Sequence, residues 1–116
     1  MGLYTHDQSM AEQGSWYTIE VVGTQAITIP AGVTNVLIVG SSTPIVTRLK
    51  TVERAGRKIR FMARTDSDST QFTDGENIKT TGASSAIDSW DSIEFICAPD
   101  ASGALYFIET NLSNIT

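Results

Sequence analysis

Three segments between residues 56 and 97 decide the fold of this chain: Gly56-Arg57-Lys58-Ile59-Arg60-Phe61, Phe72-Thr73-Asp74-Gly75-Glu76-Asn77-Ile78 and Trp90-Asp91-Ser92-Ile93-Glu94-Phe95-Ile96-Cys97. The first leads into a strand that alternates apolar with polar side chains, which is typical of a half-buried β-strand, and the third is interpreted as a closing strand. The second contains an Asp-Gly pair, which is a turn signal. Together they predict short strands that are joined by turns.

The rest of the chain carries the same kind of signal. Residues 16–22 are rich in aromatic and β-branched types, and residues 34–39 are apolar on both faces. Residues 52–56 are interpreted as a hairpin connection, and Pro99-Asp100-Ala101-Ser102-Gly103 is interpreted as the loop of a closing hairpin. No stretch shows the helical period.

These signals predict an all-β protein. We expect an antiparallel β-sandwich or jelly-roll-like module of about eight short strands over residues 15–110. Residues 1–14 are predicted to form an N-terminal arm, with a disordered tail as the alternative, and residues 111–116 a C-terminal tail.

Length and composition indicate a single folded domain. The chain has 116 residues, 41% of them apolar and 18% charged, so it can bury a core. Cys97 is the only cysteine, which excludes an intrachain disulfide, and we expect it to be a small buried residue. The chain lacks a run of about 18 apolar residues and a signal-peptide pattern, so we expect no membrane contact.

Charge is distributed unevenly along the chain. The net charge is -5, which argues against nucleic acid as the main partner. Seven of the eight basic residues nevertheless lie between positions 48 and 64, together with a single acid, Glu53. This basic band is a candidate docking surface for an acidic protein surface or for another copy of the same chain, and a solvated strand face is the alternative. Its members are Arg48, Lys50, Arg54, Arg57, Lys58, Arg60 and Arg64.

The last two predicted strands, residues 91–98 and 104–109, carry apolar residues on both faces. One face suits the core of the monomer and the other a contact with sister chains, so we predict a symmetric oligomer. A thick monomer core is the alternative. The candidate interface residues are Ile96, Tyr106, Ile108 and Met62.

Residues suited to catalysis or metal binding are sparse. His6 is the only histidine and lies in the predicted arm. Asp66-Ser67-Asp68 starts like a calcium loop, but Gln71 and Asn77 stand where glycine and glutamate are needed. We therefore expect no catalytic residue, no metal and no cofactor. Trp90 is a candidate for stacking on a sugar ring, although an aromatic residue in a strand more often belongs to the core.

The three segments that open this section resemble small trimerising β-modules of bacteriophage virion proteins, such as those at the ends of tail fibres and tailspikes. The resemblance covers residues 27–109 and is best from Gly56 onward. It implies stable trimers of β-sandwiches that act as trimerisation clamps or receptor-facing tips. Such modules usually end a longer chain with a β-helix or fibrous shaft, whereas this sequence starts at a methionine. It also has Tyr106-Phe107-Ile108-Glu109 where the motif ends in Trp-Glu.

From this resemblance we expect a non-enzymatic structural protein of a virion, made in the host cytoplasm. The first hypothesis is a homotrimeric capsid decoration or cement protein that binds the major capsid protein, or another virion protein, and stabilises the head. The second is the trimerising tip of a tail fibre or tailspike, in contact with host surface polysaccharide. A small sugar-binding or hydrolytic module outside phages is the third.

Overall fold

The computed structural model describes residues 16–114, which form eight β-strands. They are β1 (Tyr17–Thr28), β2 (Asn35–Lys50), β3 (Lys58–Ala63), β4 (Thr70–Thr73), β5 (Ile78–Lys79), β6 (Ser84–Ile87), β7 (Ser92–Pro99) and β8 (Leu105–Ser113). Within residues 16–114 there is no helix, so the prediction of an all-β chain is confirmed. The predicted arm lies outside the described residues, and β8 extends into the predicted C-terminal tail.

The central strand, β2, pairs in parallel on both of its edges. On one edge β1 runs beside it along its whole length. On the other edge the first part of β2 pairs with β3 and the second part with β4, so that Val36 has Tyr17 on one side and Phe61 on the other. The order across the sheet is therefore β1, then β2, then β3 followed by β4. We call these three successive parallel courses of the chain the first, second and third layers.

This pairing corrects the prediction of an antiparallel sheet. Of the seven strand pairings in residues 16–114, four are parallel, and all eight strands belong to one hydrogen-bonded sheet. Residues 52–56 are not a hairpin connection, because they lead from β2 into a strand that runs parallel to it. Residues 29–34 and 51–57, which we call the first and second return loops, bring the chain back to the start of the next parallel strand. A tight turn joins only antiparallel neighbours, so the strand signals alone did not reveal this pairing.

The closing strands are mostly antiparallel and agree better with the sequence. β7 pairs with β3, β8 pairs with β7, and β6 pairs with β4, all antiparallel, while the two-residue strand β5 runs parallel to β8. The predicted closing hairpin is confirmed. Its loop is held by the Asp100 carboxylate, which accepts hydrogen bonds from the backbone N–H groups of Ser102 and Ala104.

The sheet curls around a core of buried aromatic and aliphatic side chains. Phe61 on β3, Phe72 on β4 and Phe95 on β7 are fully buried, and their ring centroids lie 5.0 to 5.9 Å apart. These rings pack β3 and β7, which lie beside the first part of β2, against β4, which pairs with its second part. Cys97 is buried among them in the same core cluster, as expected.

Gly40 lies where two layers come closest. Its backbone N–H donates to Ser67 Oγ at 2.8 Å, and its carbonyl accepts from the backbone N–H of Asp68 at 2.9 Å. A Cβ atom at this position would lie 2.5 Å from Pro44 Cγ and 2.5 Å from Thr70 Oγ1. Only glycine therefore fits this approach of β2 to the segment that leads into β4.

Candidate functional site

Residues 74–78, Asp-Gly-Glu-Asn-Ile, connect the end of β2 to β8 through hydrogen bonds of Asn77, and we call this segment the latch. Asn77 is buried, its side-chain oxygen accepts from the N–H of Leu49 at 3.0 Å, and its amide group donates to the Leu49 carbonyl at 2.7 Å. The carbonyl of Asn77 accepts from the N–H of Phe107 at 2.7 Å. Asn77 thus pairs the end of β2 with β8, and this role was not predicted from the sequence.

Arg57 does not belong to an exposed basic band. The residue is 7% exposed, and its guanidinium donates to the Thr51 hydroxyl and to the carbonyls of Val52, Pro30 and Val33. Burial lowers the pKa of Arg57 below its usual value, and the nearby charge of Arg54 lowers it further. The side chain fastens the two return loops between layers, so its role here is structural.

The other six members of the basic band are spread over several environments. Arg48 and Arg64 form ion pairs with Glu76 and Asp66, at 3.5 and 2.6 Å. Arg60 packs its guanidinium over the Trp16 ring at 5.1 Å. The remaining three are exposed residues around the second return loop, namely Lys50, Arg54 and Lys58. Positive charge that is free to attract a partner is therefore concentrated at that loop.

The Arg64–Asp66 pair is bidentate and lies on the surface. Two guanidinium nitrogens of Arg64 donate to the two Asp66 oxygens at 2.6 Å each. These hydrogen bonds hold the pKa of Asp66 below its usual range and raise the pKa of Arg64. Because both side chains are exposed, the pair is expected to orient the loop more than to stabilise the fold.

Three of the four candidate interface residues form one apolar strip on the outer face of the closing strands. Ile96 on β7 lies directly opposite Ile108 on β8, and Tyr106 is one row further along β8. All three are half-buried. The strip is bordered by Lys58, which lies opposite Ile96, and by Lys79, which lies opposite Ile108 and packs over the Tyr106 ring at 4.9 Å.

Met62 belongs to a different part of the same outer face. It lies opposite Leu37 on β2 and Ser92 on β7, and both Met62 and Leu37 are half-buried. A row that contains Arg60 opposite Glu94 separates this pair from the apolar strip. The sequence pattern had not indicated Leu37 or Lys79, because their neighbours are set by long-range pairing.

Trp90, the candidate sugar-stacking residue, is not in a strand and not in the core. It is 44% exposed and lies in a turn in which the N–H of Asp91 donates to the carbonyl of Asp88 at 2.8 Å. Its backbone φ is +65°, in the left-handed region that bulky residues rarely adopt. The backbone is held there by a hydrogen bond from the Trp90 N–H to the Ala63 carbonyl at 2.8 Å.

The predicted absence of metal and catalytic residues stays a prediction. In the part of the chain that the structure describes, no three Asp, Glu, Cys or His side chains are grouped to hold a metal ion. His6 lies outside that part. The same residues contain no helix that is long and apolar enough to cross a membrane.

Comparison with known proteins adds no relative. No protein-family model, no curated protein and no solved structure matches this chain. The geometry of the surfaces described above is therefore the basis for the function.

Proposed function

We propose that this chain is a non-enzymatic structural module of a bacteriophage virion, and that three copies associate to close the end of a tail fibre or tailspike. The observation that carries the proposal is the stack of three parallel layers formed by β1, β2 and β3 with β4. Parallel layers of this kind suit the end of a fibrous shaft, and the fibre modules that the sequence resembles end such a shaft.

The trimer contact in this proposal is the apolar strip of Ile96, Tyr106 and Ile108. Half-buried apolar residues that face outward from a sheet lose more water-exposed area when a second layer covers them. In the trimer, the strip of each copy packs against a sister chain. Met62 and Leu37 extend this contact across the polar row.

Substitution of the strip tests the proposal. Ile96→Asp and Ile108→Asp are expected to convert a particle of three chains into monomers, because each would bury a carboxylate in the contact, and its desolvation is costly even beside the lysine on the neighbouring strand. The mass is measured by light scattering coupled to size exclusion at two protein concentrations. Val22→Asp is the matched control, since Val22 is an apolar strand residue that is 57% exposed, and it should keep the parent mass.

A parent protein that is monomeric at both concentrations would overturn the trimer. An Ile96→Asp variant that keeps both the parent mass and the parent melting temperature would instead overturn the placement of the trimer contact on the apolar strip, because Ile96 would then face solvent in the assembly.

Capsid decoration is the second candidate function. The exposed cations around the second return loop, Lys50, Arg54 and Lys58, favour it, because they suit docking onto an acidic virion protein. In this alternative the protein is found on isolated phage heads by mass spectrometry. In the fibre proposal it is found on isolated tails.

A further inference from the structure

One corner of the molecule forms where β1, β2 and the segment between β3 and β4 change direction side by side. In the first layer the corner is Gly23, and in the second it is residues 41–43, because Val22 lies opposite Ser41 while Thr24 lies opposite Ile45. The third layer contributes residues 64–69, which bond to β2 through Arg64 and Asp68. We call residues 41–43, 64–69 and 88–90 the strained corner.

The turn that contains Trp90 completes this corner. Ser89 forms a β-bridge with Ala63, the last residue of β3, and its hydroxyl donates to the Thr65 carbonyl at 3.1 Å. The corner is therefore continuous from the second layer to the turn before β7.

Backbone strain is concentrated in this corner. Four non-glycine residues in the described range 16–114 have positive φ, and three of them are Ser42 at 56°, Thr43 at 55° and Trp90 at 65°. Left-handed backbone is unfavourable for side chains other than glycine, asparagine and aspartate, and most of all for β-branched and bulky ones. Three strained residues at one exposed place are a reason to look for a function there.

The first layer shows that the fold itself does not require these side chains. At the equivalent corner it has Gly23, at φ +62°, which adopts the left-handed region without steric cost. Ser42 and Thr43 are fully on the surface, and nearly half of Trp90 is exposed. Retention of these residues at a cost to stability is the pattern expected of a binding surface.

We propose that the strained corner is a carbohydrate-binding surface, in which Trp90 stacks on a sugar ring and the Ser42 and Thr43 hydroxyls bond to sugar hydroxyl groups. An exposed aromatic face with a polar edge suits a ligand that is apolar on one side and hydroxylated on its rim. The exposed Asp68 carboxylate suits further hydrogen bonds from sugar hydroxyls, and its charge disfavours phosphate ligands. This inference rests on the proposed function in that a fibre end faces the host surface.

The test uses the full chain and an array of purified bacterial O-antigens, capsular polysaccharides and teichoic acids. The parent protein is expected to bind at least one of them. Trp90→Asn is expected to weaken that binding by about tenfold or more, equivalent to losing one good contact. The melting temperature of the Trp90→Asn variant should not fall in parallel with its affinity, because asparagine tolerates left-handed backbone. Thr43→Gly should raise the melting temperature and weaken binding.

Two matched variants separate stacking from folding. Trp90→Phe keeps an aromatic face and should retain most of the binding. Trp16→Phe alters the other tryptophan of the chain, which packs under Arg60, and should leave binding at the parent level.

Three results would overturn the carbohydrate site: no binding to any polysaccharide on the array, binding that Trp90→Asn leaves unchanged, or a Trp90→Asn protein that loses its trimer mass. The last result would mean that Trp90 lies in a subunit contact. Light scattering on the same samples distinguishes the two proposals. A trimer that binds no polysaccharide refutes only the carbohydrate site, whereas a monomer refutes the proposed trimeric module.

Discussion

The parallel layers and the antiparallel closing strands are held together in different ways. Between the layers, buried polar side chains bond to backbone groups at the points where the chain changes direction, as Arg57, Asn77 and Ser67 do. The closing strands use a short loop that is capped by Asp100, and cross-strand apolar pairs such as Ile96 with Ile108. Contacts between distant residues thus require dedicated polar side chains, whereas a hairpin is closed by its own loop.

The two regions also present different surfaces. The corner of the parallel layers is polar and strained, while the outer face of the closing strands is apolar and has lysines at its borders. In the proposed assembly, this division would let one region face a carbohydrate ligand while the other faces a sister chain. Substitutions that affect one region and spare the other therefore test whether the two regions are stabilised independently.

The largest effect is expected where the two regions share their core. Phe72→Ala removes the ring on β4 that packs 5.0 Å from Phe61 and 5.4 Å from Phe95. Truncation of a buried phenylalanine costs about 3 to 5 kcal/mol, because contacts are lost and a cavity remains. Chemical denaturation followed by tryptophan fluorescence measures the change in the free energy of unfolding.

Tyr17→Ala is the control for this substitution, since Tyr17 lies on β1 at the surface and is 37% exposed. An equal loss for both variants would mean that the aromatic cluster does not join the two regions.

A smaller loss is expected from the latch at Asn77. Asn77→Ala removes both hydrogen bonds to the N–H and the carbonyl of Leu49, and at about 0.5 to 1.5 kcal/mol net per hydrogen bond the total loss is about 1 to 3 kcal/mol. Hydrogen exchange should show the end of β2 and β8 losing protection, while the hairpin loop at Asp100 keeps it.

Asn77→Asp refines this test. The carboxylate can still accept from the Leu49 N–H, but it cannot donate to the Leu49 carbonyl, and it would lie beside the Glu53 carboxylate, to which the Asn77 amide donates at 2.9 Å. A variant as stable as the parent would show that the donated bonds contribute nothing.

The sequence predicted the closing strands better than the parallel layers, for a physical reason. Alternation in residues 91–98 and the loop signal in residues 99–103 are local, and they sufficed to predict β7, β8 and their hairpin. The pairing of β2 with β1, β3 and β4 joins residues that are 19 to 26 positions apart along the chain, and no local pattern specifies it. A parallel arrangement was therefore not expected.

The same limit applies to the site residues. Ile96, Ile108 and Tyr106 were found because strand alternation shows which residues share a face. Arg57 was assigned to a basic band because charge was counted along the chain, whereas its neighbours are carbonyls from two loops that only the fold brings together. The strain at Ser42, Thr43 and Trp90 is a property of backbone angles, which residue types at these positions did not indicate.

The smallest effect is expected at the hairpin loop, and it should depend on pH. The hydroxyl of Ser102 and the N–H groups of Ser102, Ala104 and Gly103 hold the pKa of the Asp100 carboxyl below its usual value. The ionised carboxylate therefore stabilises the loop above the unfolded-state pKa of about 3.9, and this contribution is lost as the pH falls through the lower folded-state pKa. Asp100→Ala should lower the melting temperature slightly at about pH 7, and the difference from the parent should shrink as the pH falls below the unfolded-state pKa of about 3.9. Asp100→Asn keeps a neutral acceptor and should show a smaller difference that does not vary with pH. A gap between parent and Asp100→Ala that stays constant across this range would mean that the charge of Asp100 does not hold the loop, and that the hairpin is closed by its backbone and its apolar pairs alone.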